Sequence, residues 1–531
     1  MLNLLLFSCA RVGAPNGGTR DSLAPKFLGS NIDTTRLNVS RTVKELRLDF
    51  DEYVMLKDFN KNFNVSPPIK KIKKVIPSNL ANKYVLIQWE DTLQANTTYN
   101  FNFGNAIVDN NESNPLPYFN FAFSTGDKID DLFVSGTVKD AMTLIKENQT
   151  AKDNKMVVGL YKAGENLDYK QKPDYITKVD EENYFELNFL PKGEFVIIAF
   201  DDENQNSVYD AGKEKVSFLK EKITLDSTSV RGLKLKLYPS KKVVKYKESK
   251  AINGGLLMTF EGNPETVDVK SLSEELKDFK VTHAKRSDSV NIWFDAEKSN
   301  LGGTVSKQLK LSYFTPTISD TISVSYKAVK DEFKLSNEAG NLIAPENNFV
   351  INTSLPIENL NTSSWKLESD SIAQDFTAKI SEKNPFKILV NSSFKPTKKY
   401  VLTIPKETVS SYYSSNDKSF QFQFEIDKPE NYGSFTAVIK NKPTAKFWVE
   451  LTNEKGEILY SQFTNASEVS FKNLKPATYI ARIRVDNNGN GFWDEADFAQ
   501  NIAAEDVYIF EKEINVRPLW EIKEDWELTN R

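Results

Sequence analysis

One cysteine and one histidine stand in 531 residues. A lone Cys9 excludes an intramolecular disulfide. A lone His283 excludes a histidine-rich zinc centre and leaves few hydrolytic relays. Basic charge is not in excess: the formal net charge is −4, so no global field exists to hold nucleic acid. No apolar run approaches the ~20 residues of a membrane-spanning helix. Phosphate-cradling and dinucleotide-binding fingerprints are missing. No nucleophile stands with a base and an orienting group at a recognisable spacing, so the expectation is a non-catalytic chain.

What the chain has is aromatic residues, 35 Phe and 20 Tyr, with Pro and Gly spread along its length. That mix suits many short strands joined by turns. Leu46, Leu48 and Phe50 alternate, as do Val85, Ile87 and Trp89, and Phe121 with Phe123. Alternation with period two buries one face of a strand and solvates the other. The expected fold class is all-β, in several domains. The basic run Lys70, Lys71, Lys73, Lys74 reads as lysines guarding an exposed edge strand.

The opening MLNLLLFSC resembles a bacterial lipobox, with the apolar run Leu4–Phe7 before Ser8 and Cys9. The resemblance implies a signal over residues 1–9, a lipidated Cys9 and a flexible tether over 10–25. Further on, Ala24-Pro25, ELRLDFDEYV, the Ser66-Pro67-Pro68 step, LQANTTYNFNF, IVDNNESN and FAFSTGD resemble the bacterial Ig-like domain of S-layer-protein type, here over 26–127. This domain often follows the tether of Bacteroidota surface or periplasmic lipoproteins, and it implies a binding or spacer module. YFELNFLPKGEFVIIAFDDENQNSVYDAGKEK, within 131–240, looks like the prealbumin-like or B-type sandwich of cell-surface proteins. Seven Asp-Ser or Asp-Thr tripeptides, among them Asp33-Thr34-Thr35 and Asp226-Ser227-Thr228, resemble O-glycosylation acceptors of exported proteins.

Two repeats organise the remainder. Phe394 and Tyr400 follow Leu93 and Tyr99 at an offset of 301, as Phe422 and Phe424 follow Phe121 and Phe123. Phe471, Leu474, Tyr479 and Asp486 follow Leu187, Leu190, Phe195 and Asp202 at an offset of 284. Constant offsets over buried-face positions argue for one register in both copies. The expected plan is a second Ig-like domain over 351–428 and a second prealbumin-like sandwich over 432–518. Between the pairs lies a middle β unit over 251–345, a sandwich that a degenerate Ig-like domain would fit. Lys241–Lys250 reads as a linker, 268–279 as a short helix and 519–531 as a C-terminal tail. Five sandwiches in a row suggest an elongated or folded-back rod.

The stretch DNNGNGFWDEAD has calcium-loop spacing. Asp486, Asn488, Asn490, Asp494 and Asp497 occupy positions one, three, five, nine and twelve. Gly491 serves the turn, and Phe492 would offer its carbonyl. Asp202, Asn204, Asn206 and Asp210 repeat the pattern more weakly, with Ser207 in place of the glycine. Such residues also build metal-free turns. If Ca2+ binds, its role is structural.

These readings together describe a lipoprotein of the outer membrane, on its periplasmic or cell-surface face. It holds the membrane by a lipid anchor and serves as scaffold or accessory subunit of an assembly, secretion or uptake complex. A surface glycan-binding or adhesin-type protein is the competing reading. A glycan binder should cluster exposed aromatics on one sandwich face.

Overall fold

The computed structural model describes residues 21–144, 155–164, 167–329 and 331–528. Cys9 and most of the tether lie outside them. The described chain is all-β, with one short α-helix at Phe59–Asn62 and two 3-10 turns. It divides into two compact units. The first takes the chain to Leu237, apart from stretches beginning at Asp140 and Ala211, and the second takes those stretches and Tyr238 onward.

Each unit is a set of two-sheet sandwiches with separate cores. In the first unit, Phe27–Ser30, Glu45–Leu56, Asn82–Trp89 and Ile72–Ile76 form one sheet, in that order. It faces a sheet of Asn64–Ser66, Thr98–Gly104 and Phe119–Ser124. Leu46, Leu48, Val85, Ile87, Trp89, Phe101, Phe121 and Phe123 fill the space between. Burying such side chains supplies about 1.5–3 kcal/mol each, which is what the period-two pattern is for. Ile72–Ile76 is indeed an edge strand, with Lys73 and Lys74 exposed on it. The second sandwich pairs a sheet of Tyr184–Leu190, Leu132–Asp140 and Val230–Leu237 with one of Tyr175–Lys178, Met156–Lys162, Gly193–Asp201 and Val216–Phe218.

The second unit holds three cores. That of the middle sandwich contains Leu256, Met258, Ile292, Leu309 and Tyr313. The fourth contains Phe349, Ile351, Ile388, Tyr400 and Phe424, and the fifth Phe435, Val449, Phe471 and Ile483. Both repeats keep their register. Tyr99 accepts the Gln94 N–H on its hydroxyl at 2.8 Å, and Tyr400 accepts the Lys395 N–H at 2.8 Å. Leu190, Phe195 and Asp202 are buried, as are Leu474, Tyr479 and Asp486.

Four expectations are corrected. The tail is a strand: Glu521–Glu527 pairs in parallel with Gly433–Lys440 and buries Trp526. It takes the place that Val230–Leu237 holds in the first copy. The linker is a strand too, since Lys245–Ile252 pairs with Gly255–Glu261 and keeps its lysines outward. The helix at 268–279 is not formed. Asp268–Ser271 instead pairs with Lys307–Phe314, and Leu272 is 55% exposed rather than aligned with the buried Leu276. The helical spacing of those apolar residues lost to hydrogen bonding with a neighbouring strand. Finally, Phe333, Leu335 and Ile343 pack in the fourth core, not the middle one.

Candidate functional site

The strand Ala477–Val485 runs out of the last core into the Asp486 loop. Asp486 is buried and closes the turn: its Oδ1 accepts the Asn490 N–H and its Oδ2 the Gly491 N–H, both at 3.0 Å. Asn488 and Asn490 repeat this on a smaller scale, each accepting the backbone N–H two residues on at 3.0 and 2.8 Å. Gly491 has φ +82°, a conformation that side chains with a Cβ resist. The upstream loop closes alike. Asp202 accepts the N–H groups of Asn206 and Ser207 at 3.0 Å, and Asn206 that of Val208 at 2.6 Å. Ser207 takes the glycine's place at φ +61°.

Three of the expected ligand side chains meet, while the Asp486 carboxylate is taken up by backbone N–H groups. Nδ2 of Asn488 and Nδ2 of Asn490 both donate to Asp494 Oδ2, at 2.5 and 2.7 Å. Asn204 donates to Asp210 Oδ2 at 2.6 Å in the first copy. Asp497 does not join them. Its carboxylate accepts the Gln500 N–H, and its backbone pairs with Ile502 to turn a small hairpin. Among the described residues no group of three or more His, Cys, Asp or Glu is placed to hold a metal. Of the three that meet, two are amides.

Two residues that the motif does not contain complete the site. Glu505, buried, accepts the Asn488 N–H at 3.1 Å and the Asp494 N–H at 2.9 Å, one on each oxygen. Its carbonyl accepts the Trp493 indole N–H. Arg286, from the middle sandwich, reaches Asp494 Oδ1 at 2.8 Å and Glu265 at 2.5 Å. Lys285 and Arg286 also sit over the Phe492 ring, at 5.1 and 4.6 Å. Glu505 follows the hairpin at Asp497, which makes the path from Asp486 to the next strand at Val507 longer than that from Asp202 to Val216. That excess length was visible in the sequence. Nothing local in the sequence pointed to Arg286.

The electrostatics follow the partners. Burial pushes the Asp494 carboxyl up, but the amides of Asn488 and Asn490 and the charge of Arg286 outweigh it and hold the group below the usual range. Burial raises Glu495 and Glu505, and in Glu505 it wins over the backbone hydrogen bonds.

A cavity of about 480 Å³ opens beside the loop, walled by Lys241, Lys242, Glu265, Arg286, Trp493 and Glu495 among others. Its rim is tied by backbone: Lys241 N–H donates to the Ala496 carbonyl at 2.8 Å, and Ala496 N–H to Pro239 at 3.1 Å. The loop is therefore wedged between two sandwiches of one unit. It has an ion pair on one side and a strand-like strap on the other.

Residues 21–125 match the family described as the bacterial Ig-like domain. No curated protein matches the chain. Among solved structures, an S-layer protein, rSbsC, is similar at 12% identity and TM-score 0.15, over 93% of this chain and 67% of that one. The Bacteroides ovatus glycan-utilization protein SGBP-B, solved with a mixed-linkage heptasaccharide, gives 10% identity and TM-score 0.21, over 74% and 97%. BcpA, the major pilin subunit of Bacillus cereus, gives 9% identity and TM-score 0.14, over 75% and 99%. At these values the likenesses carry no argument about function.

Proposed function

We propose that this chain is a non-catalytic scaffold of the cell envelope, anchored at the outer membrane through Cys9, and that its sandwiches present surfaces to a membrane protein complex. The observation that carries this reading is the use made of the Asp486 loop. Its charge goes to Arg286 of another sandwich and its backbone to the strap at Pro239–Lys241, so its chemistry is spent on holding domains together. Among the described residues the large exposed aromatic side chains are not gathered on one sandwich, as a glycan platform would require. Tyr53, Tyr118, Tyr184, Phe314, Phe463 and Trp520 are spread over four sandwiches. The test is a pull-down of the tagged chain from detergent-solubilised membranes. A β-barrel complex should co-purify in stoichiometric amount. Recovery of the chain alone, with retention on an oligosaccharide column, would overturn the scaffold.

Calcium belongs to this reading as a stiffener of the second-copy loop. Asp486, Asn488, Asn490 and Asp494 would hold it, the two amides turning their oxygens inward. With two carboxylates, one already shared with Arg286, the site falls in the weak extracellular class, with a Kd of about 10⁻⁴–10⁻³ M. Millimolar calcium should raise the melting temperature of the wild type over that in chelator, and Asp494→Asn should abolish the rise. Equal melting in calcium and chelator removes the metal from the account.

A further inference from the structure

We propose that the lysines before and along the strand Lys245–Ile252 form a docking face for an anionic lipid surface. Lys241, Lys242, Lys245, Lys247 and Lys250 are all exposed. Lys213, also exposed, joins them. Its neighbour Gly212 donates its N–H to the Ser240 hydroxyl at 2.9 Å, and a Cβ on that glycine would come within 2.9 Å of the Lys242 Cα. Among the described residues none of these lysines makes an ion pair or a side-chain hydrogen bond. Nearby lysines outside the row are paired. Lys215 reaches Asp140 at 2.5 Å, and Lys285 reaches Glu265 at 3.3 Å. In a chain of net charge −4, a row of unneutralised lysines is a local field of the opposite sign.

The backbone turns the strand's lysines one way. Lys245 pairs with Glu261 and Lys250 with Leu257, and the core residues Leu256, Met258 and Phe260 alternate with those partners. Cross-strand partners share a side of the sheet, so Lys245 and Lys250 both stand away from the core. At their odd spacing a regular strand would set them on opposite sides. The irregularity between Tyr246 and Glu248 inserts Lys247 and brings Lys250 round. The acids that face the row are Glu248 and Glu261 on the sheet and Glu495 beside the strap, fewer than the lysines. Guarding an edge explains only part of this. Lys213, Lys241 and Lys242 lie off the strand, where no edge needs a charge.

The occupant follows from the residue type. Every member of the row is lysine and none is arginine. A carboxylate on a protein partner is best gripped by the planar fork of arginine, whereas lysine is a hydrated point charge on a long stem. A line of such charges suits phosphates spread over a surface, to which the stems adapt one by one. Val243, 60% exposed between Lys242 and Val244, offers an apolar contact at the headgroup boundary. This face goes beyond the scaffold reading and makes no use of Cys9.

The experiment is co-sedimentation of the full chain with vesicles, with Cys9→Ser so that no lipid is attached. The chain should bind vesicles of phosphatidylcholine and phosphatidylglycerol in equal parts, and not vesicles of phosphatidylcholine alone. Binding should fall as salt shortens the screening length from ~10 Å at 0.1 M to ~3 Å at 1 M. Each lysine at an anionic surface contributes about fivefold in affinity, so Lys242→Gln with Lys247→Gln should weaken binding roughly 25-fold. Lys73→Gln with Lys74→Gln, on the exposed part of another edge strand, is the control and should change it less than about twofold. Both variants should melt as the parent does. No binding, equal binding to the two kinds of vesicle, or equal loss in the two variants would overturn the proposal. Tighter binding to polyglutamate than to the charged vesicles would assign the row to an acidic protein and overturn it as well.

Discussion

In the sandwich of residues 132–237, the side of the larger sheet turned away from the core is apolar, whereas in that of residues 433–527 it is ionic. Gly159, Ile198 and Phe200 stand there in the first copy, with Ile198 opposite Gly159 and Phe200 in contact with Tyr209. In the second copy the matching positions are Glu450, Arg482 and Arg484. Glu450 is fully buried, opposite Arg482, and takes Arg482 on one oxygen at 2.7 Å and Arg484 on the other at 2.5 Å. The inward faces agree almost residue for residue. A duplicated fold is thus held by the face that must pack. The other face is free to be covered either by apolar groups or by charges that satisfy each other.

The comparison can be broken most severely at Glu450. Glu450→Ala leaves Arg482 buried without its partner and should cost about 3–5 kcal/mol, seen as early melting of the last sandwich. Exchanging the cluster for apolar residues as in the first copy, Glu450→Leu with Arg482→Ile and Arg484→Phe, should recover most of that loss, because the desolvation of three charges disappears with their attraction. A triple variant that melts as early as Glu450→Ala would show the two solutions are not interchangeable. Next comes the final strand. Trp526→Ala should cost about 3–5 kcal/mol, and Leu235→Ala, its counterpart, about 2–5 kcal/mol in the first unit. Hydrogen exchange should rise locally in each case; protection of Gly433–Lys440 that survives Trp526→Ala would contradict the equivalence.

Smaller effects separate the two loops. Arg286→Gln should weaken the second-copy loop by about 1–3 kcal/mol through the loss of a charged hydrogen bond. Proteolysis should then open at Gly489–Trp493 and leave Asn204–Val208 untouched. The weakest effect concerns Lys178, which stands on the edge strand of the first copy and feels Asp202. Burial there lowers its pKa to about 8, while its unfolded value is near 10.5. Between those values the unfolded state binds the extra proton, so the first unit gains stability as pH rises through the window, and Lys178 is a burden below it. Lys178→Met should melt higher at neutral pH and lose that rise. An unchanged pH slope would remove Lys178 as its source.

Much of the fold was legible because burial with period two is written into single residues. Tyr99 and Tyr400, or Phe195 and Tyr479, could be paired by offset because each must face a core. The last strand was not legible, since EIKEDWE has only Ile522 and Trp526 to bury among five charged residues. Lys245–Ile252 hid for the same reason: lysines that guard an edge read as a linker. In the loops, the Asx turns of Asp486, Asn488 and Asn490 are local and could be read from spacing. Arg286 and Glu505 are brought in by tertiary contacts and the Asp497 hairpin, which no spacing rule reaches.

The final strand has a mechanical consequence. Gly433–Lys440 opens the last sandwich and Glu521–Glu527 closes it, and the two lie side by side in parallel from Ser434 opposite Glu521 to Lys440 opposite Glu527. Tension applied between the ends of this sandwich would slide those strands lengthwise and load all their hydrogen bonds together, where an antiparallel pair of end strands would peel one bond at a time. The strand that the sequence offers as a C-terminal tail is thus the clasp through which the domain would bear a pull.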